Sequence, residues 1–229
     1  MPTATIEVVP SGKALGAEVR GIDLSKPLDD ASFKAIEDAW HAHQVIVLPG
    51  QSIETAHQVT FGSRFGDLAN RIKANKGRET EHPAIMYISN RKENGEYVDQ
   101  LPDGEMQFHI DQCYVERPAK GTILYAINIP SAGGETLFSN LYSAYEALSP
   151  EVKSRIDGRR ALNIYDYGNG ATIKATTISP DAPRYWHPIV RTHDATGRKG
   201  LFVNRLMTYE IEGLEKQESD ELLEILFKE

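Results

Sequence analysis

Cysteine is almost absent from this chain: one residue in 229, Cys113. A lone thiol cannot close an intramolecular disulfide, so the fold must rest on its core, and a reducing cytoplasm is the expected location. No apolar run reaches the roughly 20 residues that a membrane-spanning helix needs. The N-terminus, MPTATIEVVPSGKALGAEV, also lacks the basic-then-apolar pattern of a secretory leader. Positive charge is in deficit, with 25 Lys and Arg against 33 Asp and Glu and a formal net charge of -8. Without a basic stripe, phosphate backbones and anionic lipid are poor partners, so neither nucleic acid nor membrane is expected. There is no internal repeat and no low-complexity tract. The balance of 40% hydrophobic and 25% charged residues is that of an ordinary globular chain, and 229 residues predict one domain over 1–229.

The local pattern predicts many short strands and few helices. Residues 5–9 and 16–24 read as strands, each closed by proline. A helix starts after Leu28, capped by Asp29 or Asp30, with Phe33, Ile36, Ala39 and Trp40 at helical spacing. Residues 44–48 (QVIVL) form a short apolar strand before Pro49-Gly50, and 52–65 a second helix ended at Gly66. The polar stretches 69–83 and 91–104 read as loops, the second long enough to act as a lid. Residues 84–89 are strand-like, and 122–129 (TILYAINI) carry the strongest strand signal in the chain. A brief strand at 136–139 precedes helices at 141–148 and from Pro150 to Ile156. A loop follows at 168–184, then two strands, 187–192 and 200–204, around the turn Asp194-Ala195-Thr196-Gly197. A helix over 216–227 closes the chain. The predicted class is mainly β with flanking α-helices, a double-stranded β-helix or jelly roll, rather than a doubly wound α/β fold.

Chemistry is concentrated at Phe108-His109-Ile110-Asp111. Alternate residues of a strand share a face, so His109 and Asp111 would present an imidazole and a carboxylate together. Those are two of the three ligands of the facial triad used by non-haem iron(II) oxygenases. The tripeptide alone is a weak signal, and from it an ion pair on a surface strand is the better reading.

The surroundings are more specific. Downstream stand Tyr114, Arg117-Pro118-Ala119, the segment from Thr122 to Tyr125, Pro130-Ser131-Ala132-Gly133-Gly134-Glu135-Thr136-Leu137-Phe138 and the run from Tyr142 to Ser149. This ordered block resembles the taurine dioxygenase and 2,4-dichlorophenoxyacetate dioxygenase family (TauD/TfdA). The resemblance extends upstream through Gly16-Ala17-Glu18-Val19, Gly21-Ile22-Asp23-Leu24, Gln44 to Gln51, and Phe61 to Gly66. Downstream it continues through His187 to His193, Thr196 to Lys199, and Leu201 to Asn204, so it covers nearly the whole chain.

The resemblance implies an iron(II)- and 2-oxoglutarate-dependent dioxygenase, with O2 as second cosubstrate and a small, anionic organic molecule as substrate. Aryloxyalkanoates and sulfonates are the candidate classes. It implies that His109 and Asp111 are metal ligands and the catalytic centre. It also implies that the Thr136 hydroxyl binds a 2-oxoglutarate carboxylate, whereas from the residues alone Thr136 is an ordinary turn-exit position. 2-Oxoglutarate would leave as succinate and carbon dioxide. Asn70, Arg71, Lys73, Glu105 and Gln112 fall where the family contacts substrate, Arg71 or Lys73 being able to pair with an anion. Taken singly, both read as solvated loop charges. Glu105 departs from the neutral polar residue that an anionic substrate favours, which argues against taurine. Cys113 and Tyr114 read as packing residues. Exposed N-terminal helices leave room for a homo-oligomer.

The family's third iron ligand is a late histidine, followed by an arginine that pairs with the far carboxylate of 2-oxoglutarate. Nothing here matches either. The seven histidines are His41, His43, His57, His82, His109, His187 and His193, and none of the others occupies that place. The expectation is a C-terminally truncated chain that lacks the last jelly-roll strands and is itself nearly inactive. Two rival readings stay open: a jelly-roll binding protein that has lost its metal, and a zinc hydrolase or cupin-type isomerase using the same pair without oxygen.

Overall fold

The structure, a computed structural model, describes residues 5–69, 80–99, 106–166 and 177–229. Contacts divide the chain into two units, one of residues 1–102 with 120–137 and one of 103–119 with 138–229. The described residues form ten short strands and five helices. No helix among them is long and apolar enough to cross a membrane.

In the first unit, β1 (Glu7–Pro10) pairs antiparallel with β2 (Ala17–Arg20), which pairs in parallel with β3 (Ile46–Val47). Helix α1 (Asp30–His43) starts where the sequence places it. Of the two candidate caps, Asp29 serves: its carboxylate accepts the Ser32 N–H at 2.7 Å. Ile36 and Ala39 point from α1 into a core with Val19, Leu24 and Phe61, the last from α2 (Thr55–Ser63). Phe65 sits at the centre of an edge-to-face aromatic cluster. Its ring lies 4.8 Å from Phe33, 5.2 Å from Phe61 and 5.4 Å from Trp40.

Four expectations change along this part of the chain. The loop predicted from residue 91 contains a hairpin, β4 (Lys92–Glu93) and β5 (Glu96–Tyr97). Asn94 and Gly95 join them with φ of 51° and 85°, the positive values that a two-residue hairpin turn demands and that Asn-Gly tolerates. Residues 122–129 pair with no strand among the described residues, although their composition is the most strand-like in the chain, and 84–89 contribute only one isolated bridge. Propensity cannot make a ladder without a neighbouring backbone. The segment is instead held by side chains: the Tyr125 hydroxyl accepts the Ile53 N–H at 3.2 Å, and Gln58 donates to the Ile123 carbonyl at 3.2 Å. Ile123, Leu124, Ile127 and Ile129 remain exposed. The strand predicted at 136–139 is likewise irregular.

The second unit is built on a three-stranded antiparallel sheet in the order β10-β6-β7, with β6 (Arg160–Ile164) between β10 (Thr208–Ile211) and β7 (Arg184–Pro188). Helices α3 (Leu141–Ala147) and α4 (Pro150–Ile156) fall as predicted, capped by Asn140 and Ser149. The hairpin of β8 (Val190–Thr192) and β9 (Lys199–Leu201) turns at the expected place, with Gly197 at φ 68°. Leu222, Leu223 and Leu226 of α5 (Lys216–Leu226) pack on Ile156, Ile189 and Ile211, and Ser219 accepts the Ile211 N–H at 2.8 Å. Strands β6 and β10 have no counterpart in the sequence reading. β6 is buried at Ala161, Leu162, Asn163 and Ile164 in succession, so it shows none of the alternation that marks a one-sided strand.

Candidate functional site

The site lies where the chain runs through residues 106–115 of the second unit. Met106, Ile110, Cys113, Tyr114 and Val115 pack with Leu206, Met207, Tyr165 and Phe202. Burying those residues leaves Phe108, His109 and Asp111 facing outwards, the two polar side chains 30% and 51% exposed. The predicted strand is absent here. Residues 106–110 are irregular and 111–114 form a turn, because the backbone acceptors are used locally. The Ile110 carbonyl takes the Cys113 N–H at 3.3 Å, and the Gln112 carbonyl takes the Val115 N–H at 3.1 Å. Gln112 adopts φ 55°, a left-handed conformation that costs a non-glycine residue free energy.

His109 and Asp111 nevertheless meet. Imidazole Nε2 lies 3.3 Å from Asp111 Oδ1, and Nδ1 lies 3.0 Å from the Gln107 carbonyl. A carbonyl oxygen only accepts, so Nδ1 carries the hydrogen and donates it. In the neutral ring the Nε2 lone pair is then presented beside the carboxylate. In the protonated ring Nε2–H donates to Asp111 instead, and that hydrogen bond is the main cause that raises the His109 pKa above its ordinary value. Partial burial opposes it, and the Gln107 carbonyl and the carboxylate's charge add to it.

This donor set fits a hard divalent ion. Adjacent ligands on an octahedral ion with bonds of about 2.1 Å lie about 3 Å apart, close to the observed 3.3 Å. The carbonyl behind Nδ1 is the kind of outer partner that fixes a metal-binding histidine. Among the described residues no group of three or more His, Cys, Asp or Glu is gathered; the pair presents two donors, where a facial triad has three.

The other predicted residues are not all reached. Asn70, Arg71, Lys73 and Glu105 lie outside the described residues. Gln112 is half-buried in the turn immediately after Asp111. Thr136 is exposed, in an irregular stretch of the first unit that follows Gly133 and Gly134, both at positive φ. Cys113 is fully buried, and burial pushes its thiol up to about 12, which makes it inert packing as expected. Tyr114 packs against Tyr165 at 4.5 Å, and burial raises both phenols.

Four residues around the turn carry no role in the sequence reading, which sets His187 aside as a ligand. His187 of β7 is buried, and its Nε2 donates to the Val115 carbonyl at 2.8 Å. Asn204, Thr208 and Asn163 form a buried polar chain that reaches Cys113. Their only mark in the sequence is a polar residue inside an apolar run, which is also the mark of any exposed strand position. A cleft of about 420 Å³ in the first unit, lined among others by Lys26, His57, Phe61 and Arg64, offers no comparable chemistry. Its two cations are engaged by Asp23 and Asp30 at 2.7 Å each.

The family model for "Taurine catabolism dioxygenase TauD, TfdA family" matches residues 7–228. The (S)-phenoxypropionate/alpha-ketoglutarate-dioxygenase of Delftia acidovorans is 30% identical over 246 residues, covering 96% of this chain and 78% of that protein. The pentalenolactone F synthase of Streptomyces arenae is 31% identical over 236 residues, with the same coverage of 96% and 78%. The crystal structure of a taurine dioxygenase from Burkholderia xenovorans superposes with a TM-score of 0.78 at 28% identity, covering 99% of this chain and 72% of that one. The jelly-roll class with flanking helices is the fold of these neighbours, although the described residues form open sheets rather than a closed barrel.

Proposed function

The chain belongs to the TauD/TfdA family of 2-oxoglutarate-dependent dioxygenases, and from that premise we propose that it uses ferrous iron and O2 to hydroxylate a small organic acid. In this reaction one oxygen atom enters the substrate C–H bond and the other enters 2-oxoglutarate, which leaves as succinate and carbon dioxide. The observation that carries the proposal is the His109–Asp111 pair, an imidazole nitrogen and a carboxylate oxygen 3.3 Å apart.

The bound metal would supply the electrons that activate dioxygen. The protein's part is orientation. The Gln107 carbonyl holds Nδ1–H, so Nε2 is the donor atom offered to the metal. Asp111 contributes a negative charge that favours a cation, and its 51% exposure leaves room for further ligands. The packed residues Ile110, Cys113 and Tyr114 close the inner side of the turn against water. The Thr136 hydroxyl is proposed to donate to a 2-oxoglutarate carboxylate, and Arg71 and Lys73 to meet the acid group of the substrate, with Gln112 beside the metal ligand. Phenoxypropionate, in the name of the Delftia protein, is a small aryloxy acid of the kind proposed here.

The test is an anaerobic titration with iron(II) and 2-oxoglutarate, followed by a succinate-release screen over aryloxyalkanoic acids, sulfonates and sulfate esters. A weak visible charge-transfer band should form and should vanish in His109→Ala. Turnover without oxygen, or a band unaffected by loss of His109, would exclude this chemistry.

A further inference from the structure

The turn that carries Asp111 does not keep its shape by local preference. Gln112 sits in the left-handed region at φ 55°, directly after the carboxylate. A non-glycine residue persists there only where its surroundings impose it. Two of the positions that follow, buried Cys113 and partly buried Val115, are tied to the second unit through the turn before β10 and through β7. Asn204 donates from Nδ2 to the Cys113 Sγ at 3.4 Å, and His187 donates from Nε2 to the Val115 carbonyl at 2.8 Å.

Asn204 is itself immobilised on every side. Its Oδ1 accepts the Met207 N–H at 2.8 Å, its own N–H donates to Thr208 Oγ1 at 2.9 Å, and its carbonyl accepts the Thr208 N–H at 3.1 Å. The Thr208 hydroxyl donates a hydrogen bond to Asn163 Oδ1 at 2.7 Å, and Asn163 donates to the Ala161 carbonyl at 3.3 Å in the middle strand. Asn163, Thr208 and Cys113 are fully buried, and His187 and Asn204 nearly so. Buried amides stabilise a core no better than apolar residues of the same volume. What such a network adds is a unique geometry, since every donor and acceptor has one place to be.

We propose that Asn204 and His187 are positioning residues for the metal site, clamping the Cys113 and Val115 ends of the turn so that the Asp111 carboxylate is held beside His109 Nε2. The proposal rests on the reading of that pair as metal ligands. It concerns residues that touch neither metal nor substrate, and it makes the sheet β10-β6-β7 the rigid support of the site.

Four variants test it in the 229-residue chain, with Mn(II) alone as the probe. His187→Phe keeps the ring volume and removes the donor, whereas His187→Gln places an N–H near the old Nε2. Asn204→Ser keeps an oxygen for the Met207 N–H and drops the contact to sulfur. His109→Ala removes the ligand itself. Mn(II) affinity is followed by electron spin resonance, and hydrogen exchange of the Cys113 and Val115 amides is followed without metal.

His187→Phe and Asn204→Ser should weaken Mn(II) binding by about 10-fold or more, the size seen for outer-shell partners. They should also speed exchange at both amides, and His187→Gln should restore both readouts. Should His187→Phe fail to fold, Asn204→Ser and His187→Gln carry the comparison. Wild-type Mn(II) affinity and exchange in folded His187→Phe and Asn204→Ser, with binding lost in His109→Ala, would overturn the positioning role and leave the metal site standing. Equal Mn(II) binding by wild type and His109→Ala would overturn the metal site itself.

Discussion

The indole of Trp40 lies so close over the α-carbon of Gly121 that a methyl group there would come within 2.8 Å of its Cζ2 atom. Helix α1 and the start of the 120–137 segment can therefore approach only because residue 121 has no side chain. Lys120 beside it pairs with Glu37 at 3.6 Å and lies 5.9 Å from the Trp40 ring. Gly121→Ala should cost about 1–3 kcal/mol by overpacking. Trp40→Phe removes the clashing atoms, so the double variant should recover part of that loss. Urea unfolding of the four proteins gives the coupling energy. Additive losses would show that the clash is relieved elsewhere.

Asp111→Asn keeps the shape of the carboxylate and removes its charge. The Asp111 side chain is half-exposed, and its contact with His109 is a surface ion pair of small net worth, so the melting temperature should change little. Mn(II) affinity should fall at least about 10-fold, because a neutral amide is a far weaker ligand for a hard cation than a carboxylate. A large drop in stability with unchanged metal affinity would assign Asp111 to folding instead.

The pKa of His187 is lowered from its ordinary 6.5, first by burial and then by the charge of Arg191, with the Val115 carbonyl acting in the opposite direction. Tyr185 and Phe202 flank its ring. The unfolded chain therefore binds a proton at a higher pH than the folded protein does. The stability contributed by neutral His187 is full above pH 6.5 and is lost as pH falls below it. His187→Gln should flatten that part of the profile, read as urea midpoints at pH 8, about 6.5 and 5. An equally steep acid loss in the variant would place the titrating group elsewhere.

Gln112→Gly tests the backbone of the site. Glycine adopts φ 55° without the side-chain penalty, which offsets its greater freedom in the unfolded chain. The substitution should be neutral within about 0.5 kcal/mol, whereas Gln112→Val, β-branched in the left-handed region, should cost about 1–2 kcal/mol. Denaturant midpoints decide the order. A Gly variant less stable than the Val variant would mean that the Gln112 side chain, not the backbone, holds the turn.

Much of the helical frame is legible in the chain because its signals are local. Asp29, Asn140 and Ser149 each cap the helix that follows within a few residues, and the leucines of α5 repeat at helical spacing. The Asn94-Gly95 hairpin is equally local, but its two-residue strands lie inside a polar stretch without apolar alternation to mark them. Strand pairing was much less legible. The apolar residues 122–129 find no ladder among the described residues, while β6, which breaks the two-residue alternation, forms the centre of its sheet.

The sequence by itself determined the chemistry of the site. An imidazole and a carboxylate two residues apart, within a long ordered family pattern, mark the candidate pair and the reaction class. Only the tertiary structure decided how those two side chains are held. Their alignment comes from a turn, not from strand alternation, and that turn is fixed by His187 and Asn204, 72 and 91 residues away along the chain. Spacing along a chain reports which side chains can meet locally. Which distant donors saturate a buried backbone depends on packing, which no local pattern encodes.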